Sequence, residues 1–265
     1  MRWLVRFGYD GRAFAGWARQ PGLRTVEDEL VRGLVRLGVV PSAEAARVGV
    51  ASRTDRGVSA RANAFAVSTD LPSRVLLRSL NGISTEITCS AAAPIPEEFR
   101  VRGAVRRTYR YFEPLGEHHL DRWERAARLF SGTLDVRSFG RGLPAGALVL
   151  RSVESVTVTP VEGGLAVEIR APSFVWGMVR KIIAALREYD AGRLTLARIE
   201  AALEGRVRLT LPMAEPEGLV LWEVEYAIPW TLTWNGLNRH QEARVRSQRD
   251  ALWVQSEVLK ALVTP

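Results

Sequence analysis

Large apolar side chains alternate with the rest from the first residues of the chain. Trp3, Val5, Phe7 and Tyr9 fall on one side and Arg2, Leu4, Arg6 and Gly8 on the other, the period of a β-strand with an aromatic face. Asp10-Gly11 ends the strand, and residues 14–21 read as a loop presenting aromatic and basic groups. Thr25 stands where a helix N-cap belongs, and Val26, Leu30, Leu34 and Leu37 follow at helical spacing. Residues 48–51 and 63–67 read as two short strands joined by a turn around Asp55. Ser73 is placed to cap a helix running to Leu80, and residues 88–93 read as a strand before Pro94 and Pro96 punctuate the chain.

In residues 100–111 basic side chains are dense and aromatics interleave at the end; alternation sets Arg107, Tyr109 and Tyr111 on one face and Arg106, Thr108 and Arg110 on the other. Asp121 is placed to cap a helix carrying Trp123, Ala127 and Phe130. Residues 149–159 and 165–170 pair as strands around Glu162-Gly163-Gly164, a hairpin signal. Residues 174–189 carry the clearest helical stripe, Val175, Met178, Val179, Ile182, Ile183 and Leu186. A short helix over Leu196–Leu203 and a strand over residues 218–226 follow. The tail holds Trp230, Trp234 and Trp253 and an arginine- and glutamine-rich stretch with helical character. This order predicts an α+β fold with antiparallel sheet. Boundaries near 96 and 228 divide it into 1–96, 97–228 and a C-terminal extension, 229–265, of open role.

Composition narrows the partner. The chain has 265 residues, 47% hydrophobic and 25% charged, with a net charge of +8 and a sequence pI near 10.4. That basic excess favours a polyanion, either nucleic acid or an acidic membrane. Nearly all the basic residues are arginine; the lysines are Lys181 and Lys260. Cys89 is the single cysteine, so no disulfide framework and no thiolate metal site is available within one chain. His118, His119 and His240 lack metal-ligand spacing. No apolar run is long enough to span a bilayer and the N-terminus lacks the apolar core of a signal peptide, so a cytoplasmic protein is expected. Phosphate-binding loops, dinucleotide turns, nucleophile elbows and zinc signatures are absent, which favours cofactor-free chemistry. What stands out is one carboxylate, Asp55, held between Arg53 and Arg56 on a loop between scaffold strands.

Ser52-Arg53-Thr54-Asp55-Arg56-Gly57-Val58-Ser59-Ala60 resembles the catalytic loop of the TruA-type tRNA pseudouridine synthases, usually Gly-Arg-Thr-Asp-x-Gly-Val-His-Ala. Four more blocks resemble that family in the same order: Tyr9-Asp10-Gly11 with Gly16-Trp17-x-Arg19-Gln20, Arg107-Thr108-Tyr109-Arg110-Tyr111, Phe174-Val175-Trp176-Gly177-Met178-Val179-Arg180, and Ala214-Glu215-Pro216-Glu217-Gly218-Leu219. Together they span residues 1 to 226.

The resemblance implies isomerisation of uridine to pseudouridine within tRNA, at uridines 38 to 40 of the anticodon arm. It implies two related subdomains sharing one mainly antiparallel sheet flanked by helices, a cleft between them, a homodimer, and no cofactor or metal. It also implies roles. Asp55 is the nucleophile, free to add to base or sugar or to move a proton. Arg180 is its ion-pair partner. Tyr109 stacks on the extruded base. Arg53 holds the flipped nucleotide, and Leu219 lines the pocket or belongs to the core. Ser59 replaces the family's histidine, Ser52 its glycine, and Gly177 lies where bacterial members often carry histidine. Ser59 is therefore a hydrogen-bond donor or incidental. The other readings are a related synthase acting elsewhere in RNA and a non-catalytic tRNA-binding protein.

Overall fold

The computed structural model describes all residues except 47, 115, 117, 118, 144, 145, 147, 235, 264 and 265, so His118 lies outside the described residues. Eleven strands are seen among them: β1 (Arg2–Tyr9), β2 (Gly49–Val50), β3 (Ser59–Ser68), β4 (Ile87–Pro94), β5 (Arg106–Pro114), β6 (Gly132–Asp135), β7 (Leu150–Val153), β8 (Ser155–Val161), β9 (Gly164–Ala171), β10 (Leu219–Glu225) and β11 (Leu232–Thr233). The helices are α1 (Val26–Arg36), α2 (Ala43–Ala46), α3 (Ser73–Leu80), α4 (Leu120–Ala127), α5 (Met178–Asp190), α6 (Leu196–Leu203) and α7 (Arg239–Val263).

Nine of the strands form one sheet in the order β11-β4-β1-β3-β10-β5-β9-β8, with β2 paired to β3 beside this path. Every pairing is antiparallel except β3 with β10, which run parallel at the centre with Val220 opposite Ser59 and Leu221 opposite Ala60. β6 and β7 form a separate two-stranded sheet. The fold is thus α+β on a large, mainly antiparallel sheet. One buried apolar cluster runs through it from Trp3 to Val224. Phe7 meets Phe65 edge-on at 5.0 Å and Trp17 at 5.8 Å, packing the loop after β1 against the sheet. Each such large side chain taken out of water contributes about 1.5–3 kcal/mol before entropy is counted.

Local reasons explain most element ends. Thr25 caps α1, its Oγ1 accepting the Asp28 N–H at 3.3 Å, and acidic residues fill the first turn where the helix dipole favours them. Two predicted caps differ. Pro72 precedes α3, so Ser73 is its first helical residue, and His119 precedes α4, so Asp121 lies within the first turn. β3 is longer than its apolar run because strands on both flanks hold its backbone. The single strand expected over 149–159 is two, since Leu150–Val153 pairs with β6 while Ser155–Val161 forms the hairpin with β9. The helix expected from 174 begins at Met178. Gly177 sits at φ 76°, left-handed, and a Cβ there would meet the Met213 sulfur at 2.9 Å, so residues 174–176 depart from the helix axis.

Candidate active site at the sheet junction

Asp55 lies on the loop entering β3, at the point where the parallel strands β3 and β10 begin. The loop is tied down from several sides. The Thr54 carbonyl accepts from the Trp17 N–H at 3.0 Å, the Tyr9 and Thr54 hydroxyls are 2.7 Å apart, and Asn63 donates to the Ser52 carbonyl at 2.8 Å. Gly57 turns the chain at φ 83°, where a Cβ would press on Pro216 and Glu217 at 3.0 Å. These constraints fix the loop's backbone and leave the Asp55 carboxylate half-buried, with its side chain 36% exposed.

The carboxylate meets α5 and the segment before it. Arg180 Nη1 donates to Asp55 Oδ2 at 3.4 Å, and its side chain is 13% exposed. Its Nε donates to the Ala214 carbonyl at 2.6 Å. Trp176 Nε1 donates to the other oxygen, Oδ1, at 3.0 Å. A guanidinium and an indole therefore hold one carboxylate by its two oxygens. Donors placed on both oxygens orient a carboxylate.

Tyr109 on β5 forms a wall of the same cleft, its ring edge-on to Phe174 at 5.0 Å. Burial raises the Tyr109 hydroxyl pKa above its ordinary value, although a hydrogen bond to Ser52 and the charge on Arg107 act the other way. The phenol is a proton donor at neutral pH. The cleft measures about 620 Å³, is lined by Asp55, Tyr109, Arg180, Arg53 and Leu219 together with Phe174 and Trp176, and is open to one side. That volume suits one nucleoside with room for its backbone.

The sequence-predicted residues are brought together. Arg53 is exposed at the rim, where it also lines a neighbouring groove with Arg100 and Arg102. Leu219 is 5% exposed and lies in the lining of the cleft. Ser59 Oγ accepts the Gly11 N–H at 3.0 Å, which ties the turn after β1 to the loop. Ser52 Oγ accepts from Arg107 Nε at 3.1 Å.

Sequence reading missed two contributors. Trp176 stood inside a quoted motif without a role, because its partner lies 121 positions away. Arg107 is buried and donates to the carbonyls of Ala51, Arg102 and Pro172, clamping the strand that feeds the loop; no carboxylate pairs with it among the described residues. The signal for Arg107 was its place on the buried face with Tyr109 and Tyr111. Among the described residues no group of three His, Cys, Asp or Glu is placed to hold a metal ion, and no helix is long and apolar enough to cross a membrane.

The chain is similar to proteins already known by name. A family model described as tRNA pseudouridine synthase matches residues 126–227. A protein named tRNA pseudouridine synthase A from Thermococcus kodakarensis is 39% identical over 228 residues, 85% of each chain. One of the same name from Pyrococcus furiosus is 36% identical over 229 residues, 85% of this chain and 84% of that one. A third, from Methanosphaerula palustris, is 34% identical over 258 residues, 94% of this chain and 91% of its own. On this similarity across nearly the whole length, the chain belongs to the tRNA pseudouridine synthase A family.

Proposed function

We propose that this chain isomerises uridines 38 to 40 in the anticodon arm of tRNA to pseudouridine, with Asp55 as the nucleophile. The observation that carries this reading is the convergence of Asp55, Arg180 and Tyr109 on one cleft from three distant segments. The target base leaves its stack and lies against the Tyr109 ring. The carboxylate adds to the nucleotide, the C1′–N1 bond breaks, the base turns, C1′ bonds to C5, and the carboxylate is released. N1 gains a proton and C5 loses one, so product and substrate hold the same atoms and no redox partner is consumed. Arg180 holds the carboxylate in the cleft before it adds and receives it again on release. Arg53 occupies the space the base vacates, and Leu219 closes the pocket floor.

Residues 1–96 would carry the Asp55 loop and residues 97–228 the tyrosine and the arginine. The protein would act in the cytoplasm as a homodimer with one tRNA bound across both copies. The net charge of +8 supports backbone recognition that weakens as salt rises. Pseudouridine mapping on unmodified tRNA transcripts tests the proposal. Wild type is expected to modify uridines 38 to 40 and Asp55→Ala none. No product from wild type overturns the reading, product elsewhere overturns the positions, and equal product from both proteins removes Asp55 from its role.

A further inference from the structure

Residues 174–180 touch the site three times. Phe174 stands edge-on to Tyr109, Trp176 donates to Oδ1 of Asp55, and Arg180 donates to Oδ2. The proposed reaction uses Arg180 and the Tyr109 ring that Phe174 packs against, and leaves Trp176 without a role. The residue nevertheless stays 54% exposed. The chain holds it there. Gly177 turns the backbone at φ 76° just before α5, and the Arg141 N–H donates to the Trp176 carbonyl at 2.8 Å. The Arg141 guanidinium also lies over the indole, 4.4 Å from the ring centre. Backbone and ring are thus clamped by one residue.

Arg180 alone leaves the carboxylate free to turn about its Cβ–Cγ bond, because its contact is long and reaches one oxygen. A second donor on the other oxygen removes that freedom. The indole N–H suits this task. It donates and cannot accept, its direction is set by a rigid ring, and it carries no full charge to blunt the carboxylate. Orientation of this kind affects rate strongly when the reacting atom must approach along one line. We propose that Trp176 is a positioning residue for Asp55, its N–H fixing the plane in which the carboxylate meets the nucleotide. This inference rests on the reading of Asp55 above.

The test compares single-turnover pseudouridine formation at saturating tRNA with the tRNA dissociation constant. Two replacements keep a ring and remove the donor: Trp176→Phe, and site-specific insertion of benzothienylalanine, which sets sulfur where the indole N–H stands. The saturating rate is expected to fall about ten-fold or more, with the dissociation constant within about two-fold of wild type. Should the phenylalanine variant fail to fold, the benzothiophene isostere still gives the answer. A wild-type rate in the isostere overturns the inference, as does a change confined to the dissociation constant, which would make the ring an RNA contact only. Asp55→Ala measured alongside separates the two readings. If it is inactive while the Trp176 replacements are unaffected, only the role of Trp176 falls; if it is fully active, the role of Asp55 falls as well.

Discussion

Arg180 reaches Asp55 from 125 positions along the chain, and the same guanidinium donates to the Ala214 carbonyl at 2.6 Å. One planar group therefore sets the distance between the loop entering β3 and the segment leading into β10. Lysine carries the charge without the fork and cannot serve both acceptors in one plane. Arg180→Lys is expected to lower single-turnover pseudouridine formation by about 10²-fold. Circular dichroism on the variant distinguishes this from unfolding.

Tyr109 offers a ring and a protonated hydroxyl. If the ring does the holding, Tyr109→Phe loses less than about ten-fold in rate while Tyr109→Ala loses about 10²-fold or more. A loss in the phenylalanine variant as deep as in the alanine one would instead make the hydroxyl an acid in the reaction.

Thr54 precedes Asp55, and its hydroxyl lies 2.7 Å from that of Tyr9 in a buried setting. Thr54→Val keeps the shape and takes away this partner of the Tyr9 hydroxyl. Urea unfolding is expected to show a loss of about 1–3 kcal/mol, and a comparable loss for Tyr9→Phe, which leaves the buried Thr54 hydroxyl without this partner. The valine variant should also slow the reaction, since the loop that carries Asp55 loses one of its ties.

Acid should unfold the protein through carboxylates of the N-terminal half. Burial pushes the carboxyls of Asp10, Glu29 and Glu86 up, yet hydrogen bonds and charges from their neighbours outweigh it: Arg12 and Arg244 at Asp10, Arg24 and Ser84 at Glu29 and Glu86. All three end below their ordinary values, so the unfolded chain takes up these protons first. Their contribution is complete above the ordinary carboxylate range, about pH 4, and is lost as pH falls through the lower native values. Urea midpoints measured from pH 7 to pH 3 should fall at the acid end. Arg24→Met, which takes a partner from both Glu29 and Glu86, should shrink that fall and cost little at pH 7, because the pairs are partly exposed.

Cys89 offers a simple check on the core. Burial pushes its thiol up to about 12. Iodoacetamide at pH 8 should leave the native protein unlabelled and modify Cys89 once urea unfolds it. Rapid labelling of the native protein would mean that β4 opens.

Much of the fold was legible because it is written in short-range patterns. The alternation at Trp3, Val5, Phe7 and Tyr9 became β1, the stripe from Met178 to Leu186 became the buried side of α5, and Glu162-Gly163 turned the β8–β9 hairpin. The cap at Thr25 held for the same reason, since it needs a partner only three residues away. Asp55, Arg180 and Tyr109 were legible as residue types within recurring blocks, and Arg53 and Leu219 with them.

Other features depend on partners far along the chain. β3 extends to Ser59 because β10 runs beside it, and nothing between 59 and 62 announces that neighbour. Ser59 accepts from Gly11, Trp176 donates to Asp55, and Arg107 clamps Ala51 to Pro172 across 48, 121 and 56 to 65 positions. Periodicity describes which face a side chain takes, and it carries no information on what that face meets. Local pattern was therefore enough for most of the strands and helices and to single out a lone carboxylate. The folded chain chose which donors reach each of its oxygens, because a hydrogen bond needs a direction and a distance that only packing supplies.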